Sequence, residues 1–113
     1  YSSVAAQIGF PMHASIGGAK GAIDGLTLSL AAELSPYVRV NAIAPSLTDT
    51  PLASRVLAND NVKESIGKMH PLKRLGNPED IANLSAYLLS DDASWVTGQI
   101  FGLDGGRSNI ASM

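Results

Sequence analysis

Apolar residues recur along this chain at two spacings. Ile16, Ile23, Leu26, Leu30 and Leu34 return at helical intervals, which predicts one long helix over residues 12–34. Ser35-Pro36 stops it, because proline lacks the next amide hydrogen and pushes its predecessor out of the helical region. Val38, Val40, Ala42 and Ile43 alternate with Arg39 and Asn41 in a segment whose β-branched content suits a buried strand. Residues 1–5 are a short β-type stretch that ends in a loop carrying Gly9 and Pro11. Residues 45–51 form a loop, and Thr50-Pro51 reads as the N-cap and first-turn proline of a short helix. Asp60-Asn61 is a candidate cap for a second short helix running to His70. Gly76-Asn77-Pro78-Glu79-Asp80 is a stronger start signal: Asn77 caps, Pro78 takes the first helical position and two acids lie in the first turn. That helix runs to about Ser90 with Ile81, Leu84, Leu88 and Leu89 inward, and residues 94–98 turn into a last strand over 99–103. Asp104-Gly105-Gly106 closes it as a structural turn.

Strand, helix, strand, helices, strand is the order of an α/β fold with a doubly wound parallel sheet, here three strands with flanking helices. The 113 residues allow one domain at most. Three strands leave a sheet edge and several helix faces uncovered, and a chain this short struggles to close such a core alone. The chain opens mid-element on Tyr1-Ser2-Ser3-Val4 without an initiator methionine, so the expectation is the second half of a larger protein.

Composition narrows the function classes. A net charge of -2 draws neither nucleic acid nor an anionic membrane as main partner. With no cysteine there is no disulfide scaffold, thiolate zinc site or cysteine nucleophile. No apolar run approaches the ~20 residues that cross a bilayer, and the default compartment is the cytoplasm.

Gly17, Gly21 and Gly25 fall four apart on one face of the long helix, and Gly18 adds to them. Each glycine costs a helix about 1 kcal/mol relative to alanine, so a close neighbour is expected on that face, either another helix or a ligand. Around Lys20, the residues four and seven positions earlier are Ile16 and His13, both on its own helix face. Ser3, at the preceding strand end, could face the same space. A hydroxyl, an imidazole and an ammonium converging on a cleft can polarise a carbonyl and move a proton. Each also has a plain reading: a turn serine, a solvated lysine, a polar residue at a helix start.

Ser2-Ser3-Val4-Ala5, Ala19-Lys20-Gly21-Ala22 and Arg39-Val40-Asn41-Ala42-Ile43-Ala44-Pro45 together resemble the second half of a short-chain dehydrogenase/reductase. Gly76-Asn77-Pro78-Glu79-Asp80-Ile81-Ala82 and the run from Thr97-Gly98-Gln99 to Asp104-Gly105-Gly106 extend the resemblance over essentially the whole chain. It implies residues 1–113 are the C-terminal half of one Rossmann-like domain binding NAD or NADP, with a carbonyl or alcohol as substrate. It implies that Ser3 holds the substrate carbonyl and that Lys20 binds the nicotinamide ribose hydroxyls and lowers the pKa of a catalytic tyrosine. It implies that the loop beginning at Pro45 meets the nicotinamide carboxamide through backbone near Leu47 and Thr48 and the hydroxyl of Thr50. Residues 46–70 become the substrate lid, and a homodimer or homotetramer is expected.

Two departures stand out. Ser46 replaces the glycine usual after Pro45. The tyrosine expected four residues before Lys20 and thirteen after Ser3 is Ile16, which has no proton to give. In the divergent enoyl-reductase branch the tyrosine precedes the lysine by seven, and that position is His13. The leading expectation is an oxidoreductase with Ser3, His13 and Lys20 as catalytic residues. The rivals are a catalytically silent dinucleotide-binding or interaction protein and an inactive truncated piece. His70 is expected on the surface or lid without a role, and Tyr87 and Trp95 as core or interface aromatics.

Overall fold

Two four-residue strands, β1 (Ala42–Pro45) and β2 (Ile100–Leu103), pair in parallel with Ala42 opposite Ile100 and Pro45 opposite Leu103. The computed structural model describes residues 1–111. Before β1 runs the long helix α1 (Ala14–Leu34); between the strands lie α2 (Asp60–Lys68) and α3 (Pro78–Leu89). Parallel neighbours need such a crossover, because a hairpin returns the chain in the opposite direction.

The helix ends follow local chemistry. Asn77 accepts from the Asp80 amide while the Asp80 carboxylate accepts from the Asn77 amide, a reciprocal cap with Pro78 in the first turn. Asn59, one residue earlier than expected, caps α2 by accepting from the Val62 amide. The Thr50-Pro51 start yields only a single 3-10 turn, Pro51–Ala53.

Two of the three expected strands survive. Residues 38–41 are not laddered, and their bonds mix side chain with backbone: Val40 O accepts from Gly98 N–H at 2.8 Å, and Val38 N–H donates back to Leu34 O. Val40 N–H donates to Thr97 Oγ1, Asn41 Nδ2 donates to Val96 O, and Asn41 Oδ1 accepts from the Gln99 amide. Regular pairing starts only at Ala42. At the chain start, Ser2 N–H donates to Ile43 O at 2.8 Å, a single strand-like bond beside β1. Ser3 then accepts from the Ala5 amide and turns the chain into a 3-10 turn, Val4–Ala6.

The core gathers Ile43, Leu88 and Ala93, with Leu84, Val96, Phe101 and Leu103 packed against it. Leu89 is 85% exposed rather than inward, since the α3 stripe through Leu84 and Leu88 already faces β1. Tyr87 is also exposed and Trp95 is 99% exposed, so neither is a core aromatic in this chain. Along α1 only Thr27 and Ala31 are buried, while Ile16, Leu26 and Leu34 are exposed among the described residues. The glycine face makes its close approach at one point: a Cβ on Gly17 would stand 3.1 Å from Ala5 O, whereas Gly21 and Gly25 face open space.

Candidate active site

α1 and the turn before it hold three of the expected site residues. Lys20 Nζ donates to Tyr1 O at 3.1 Å, and Ser2 Oγ donates to Lys20 O at 3.3 Å. These bonds dock the segment carrying Ser3 against the helix turn carrying Lys20. Gly17 permits this by letting the helix reach the Ala5 carbonyl. Ser3 Oγ is half-buried and accepts from Ala5 N–H, which leaves its own hydrogen free to point at a ligand.

His13 sits exposed at the N-cap position of α1, without a capping bond from its side chain. Its Nδ1 meets Pro11 O at 2.7 Å. A carbonyl has no hydrogen to give, so Nδ1 is the protonated nitrogen and donates, which in the neutral ring leaves Nε2 an acceptor. Phe10 packs against the ring with centroids 5.5 Å apart, and the Arg107 guanidinium covers Phe10 at 5.1 Å. No hydrogen bond joins His13 to Lys20 or Ser3 among the described residues. Seven residues of helix separate His13 and Lys20 by roughly 10 Å along the axis. Ile16 lies between them on the same face and is 42% exposed.

The loop after β1 is tightly tied. Thr48 Oγ1 donates to Ser46 O at 3.0 Å. Gly76 N–H donates to Leu47 O, and Asp49 N–H donates to Gly76 O. Thr50 holds an N-cap position, yet its hydroxyl makes no capping bond. The donor set therefore fits a nicotinamide dinucleotide: an uncommitted Thr50 hydroxyl at this end, and at the other a Lys20 ammonium with two N–H groups left over.

His70 was expected on the surface or lid, without a role. Far from lying on the surface, it is 1% exposed, with Nε2 2.9 Å from Ser46 Oγ and Nδ1 3.0 Å from Ile66 O. Together with Asp104 and Arg74 these two residues line a cavity of about 80 Å³ beneath the loop. Asp104 is itself buried, with its carboxylate accepting from the Gly106 and Ser108 amides. Burial works to raise the Asp104 carboxyl. The Ser108 and Gly106 amides, joined by the charge of the His70 ring whenever it is protonated, outweigh it, so its pKa lies below the ordinary value. At the cavity rim Arg74 forks onto both oxygens of Asp80 at 2.6 and 2.9 Å. That guanidinium, with the Asn77 amide, lowers the Asp80 pKa to about 2.

Residues 1–108 match the family model described as enoyl-(acyl carrier protein) reductase. The 2,5-dichloro-2,5-cyclohexadiene-1,4-diol dehydrogenase of Sphingobium indicum is 40% identical over 111 residues, covering 96% of this chain and 44% of the relative. The chain belongs to the short-chain dehydrogenase/reductase family. The ligand-free aldohexose dehydrogenase of Thermoplasma acidophilum superposes with a TM-score of 0.90 at 35% identity, over 99% of this chain and 48% of that one. A 4-hydroxyisoleucine dehydrogenase complexed with NADH does so with a TM-score of 0.89 at 32% identity, over 97% and 46%. This short-chain dehydrogenase/reductase chain thus spans less than half the length of those relatives, and its fold is a partial Rossmann-like α/β unit. Among the described residues no helix is long and apolar enough to cross a membrane.

The Ser46–His70 contact had one sequence signal in this short-chain dehydrogenase/reductase: a hydroxyl stands where the family's loop usually has glycine. A side chain placed there needs a neighbour, and nothing in helical periodicity points to a histidine on the far side of α2.

Proposed function

We propose that the full-length protein is an NAD(P)-dependent oxidoreductase that moves a hydride between nicotinamide and a small carbonyl or alcohol substrate. The observation that carries this reading is the docking of Lys20 onto the Tyr1 carbonyl, which holds the lysine beside Ser3 in a chain whose family is established. The Ser3 hydroxyl binds the substrate oxygen. Lys20 turns its remaining N–H groups to the ribose hydroxyls, while Pro45 sets the direction of the loop in which Leu47, Thr48 and Thr50 face the carboxamide. A bound nicotinamide dinucleotide, NAD or NADP, supplies or accepts the hydride.

With Nδ1–H held on the Pro11 carbonyl, the neutral His13 ring offers Nε2 as a proton acceptor. As the carbinol carbon gives up its hydride, the hydroxyl proton passes to His13 Nε2, directly or through one water, and the same path in reverse returns it.

A second reading has its own observation. Ile16 occupies the phenol position and offers no proton, so a protein that binds dinucleotide without turnover is the alternative. One experiment separates them: NAD(P)-linked oxidation of an alcohol panel by the full-length protein, alongside His13→Ala and Lys20→Met. The enzyme reading expects turnover that falls at least about a hundred-fold in His13→Ala, the usual weight of a general base. Dinucleotide binding with no turnover on any substrate supports the silent reading. Turnover unchanged in His13→Ala removes His13 from the mechanism.

A further inference from the structure

We propose that Ser46 and His70 form a positioning pair that couples the end of the lid to the loop facing the cofactor, so that the two move as one unit. The inference rests on the functional reading above for what the loop does, and on geometry alone for the coupling.

Ser46 is the first residue after β1, and His70 follows the C-terminal end of α2, the helix of the lid segment 46–70. These are the two ends of the lid, and their side chains meet at 2.9 Å in a buried position. The direction of the bond follows from the partner on the other ring nitrogen. Ile66 O only accepts, so His70 Nδ1 carries the hydrogen at 3.0 Å, and in the neutral imidazole Nε2 accepts from the Ser46 hydroxyl. Ile66 lies one turn earlier on α2, so the imidazole is oriented by the helix that it follows.

From Ser46 the constraint passes into the loop without a gap. Its carbonyl accepts from Thr48 Oγ1 at 3.0 Å, and Thr48 bridges to Gly76, where Asp49 N–H is fixed on the Gly76 carbonyl at 2.9 Å. On the other side His70 O accepts from Lys73 N–H at 2.8 Å, and Leu72 N–H donates to Gly105 O. Gly105, with φ +60°, packs where an added Cβ would stand 3.5 Å from His70 Cβ. The imidazole thus sits at the junction of the β1 loop, the lid and the turn after β2. A glycine at position 46 leaves Nε2 of a buried histidine without this partner, which is the penalty that makes the two residue choices depend on each other.

The test uses the full-length protein with Ser46→Ala, His70→Asn and the double variant. Asparagine retains a donor near the Nδ1 position and loses the reach to Ser46. Three measurements apply: histidine ¹⁵N shifts, amide hydrogen exchange, and cofactor KM against kcat. The proposal expects a hydrogen on Nδ1 and none on Nε2, an Nε2 resonance that moves in Ser46→Ala, and faster exchange at the Asp49 amide in His70→Asn. It also expects cofactor KM to rise about five-fold in each single variant, with kcat within two-fold and the double variant no worse than either single. A hydrogen on Nε2, an Nε2 signal indifferent to Ser46→Ala, or exchange changes confined to residues 66–73 overturns it. So does a double variant with additive effects. Should His70→Asn fail to fold, Ser46→Ala with the nitrogen spectrum and Asp49 exchange decides. If the unsubstituted protein neither binds nor turns over a dinucleotide, the functional reading falls, and the nitrogen and exchange results still decide the coupling.

Discussion

Arg39 Nη1 donates to Leu88 O at 2.8 Å, and Nη2 of the same guanidinium reaches Ser90 O at 3.2 Å. This residue, three positions before β1, thereby satisfies the open carbonyls at the end of α3, where the helix dipole also favours a cation. Arg39→Met should lower stability by about 1.5–3 kcal/mol, the weight of hydrogen bonds from a charged group. Arg39→Lys should recover less than half of that, since one ammonium cannot reproduce the planar fork. Urea midpoints of the three proteins check it, and a Lys variant equal to the parent would contradict it.

Gly17 and Gly18 are neighbours with opposite requirements. A Cβ at Gly17 presses on Ala5 O at 3.1 Å, while one at Gly18 meets nothing within 4 Å. Gly18→Ala should stabilise by up to about 1 kcal/mol through helix propensity alone. Gly17→Val should destabilise by about 1–3 kcal/mol by pushing the Val4–Ala6 turn off the helix, and Ser3 with it. Thermal melts of both variants test the contrast.

How much of this was legible in the residues differs from place to place. Asn77, Pro78 and Asp80 announced α3 because a cap is local chemistry between residues three apart, and the structure draws the same bonds. The start of β1 was misplaced because Arg39 and Asn41 spend their side chains on Leu88 and Val96, contacts about fifty residues away that no alternation records. Ser3 was placed at a strand end with a turn serine as its plain reading, and its hydroxyl does cap a turn. Lys20 was identified from motif resemblance, and its docking on Tyr1 became visible only in three dimensions. His70 shows the same limit more sharply, since its partner lies at the opposite end of a lid with little pattern of its own.

Gly106 has φ +87°, and a Cβ there would fall 2.9 Å from Ile110 Cδ1 and 3.2 Å from Pro71 Cγ. Gly106→Ala should therefore destabilise by about 1–3 kcal/mol, combining backbone strain with the clash. Asparagine tolerates the left-handed region better than most residues, so Gly105→Asn, at φ +60° with its nearest atom at 3.5 Å, should be clearly milder. Comparing the two by denaturant titration tests whether space or φ governs this turn.

Acid should weaken the α3 start in a defined window. The Asp80 pKa is lowered to about 2, first by the hydrogen bond from Arg74 and then by the Asn77 amide. A depressed carboxylate contributes stability that is present above its unfolded value near 4 and is lost as pH falls from there towards 2. Asp104 is shifted in the same direction and adds to the same slope. Asp80→Asn should flatten the fall in stability between about pH 4 and pH 2 while lowering the plateau above it. A parallel fall in variant and parent would contradict the assignment.

The register of the sheet has one more consequence. Pro45 stands level with Leu103, so the two strands finish together and both following loops leave from one rim. Lengthening either loop alters what is recognised at that rim and leaves the strands as they are. Deleting one residue within β1 instead turns its inward side chains outward and swings both the lid and the Asp104 turn out of phase with each other. Four paired residues thus divide the chain into a part where insertions retune recognition and a part where a single residue is indivisible.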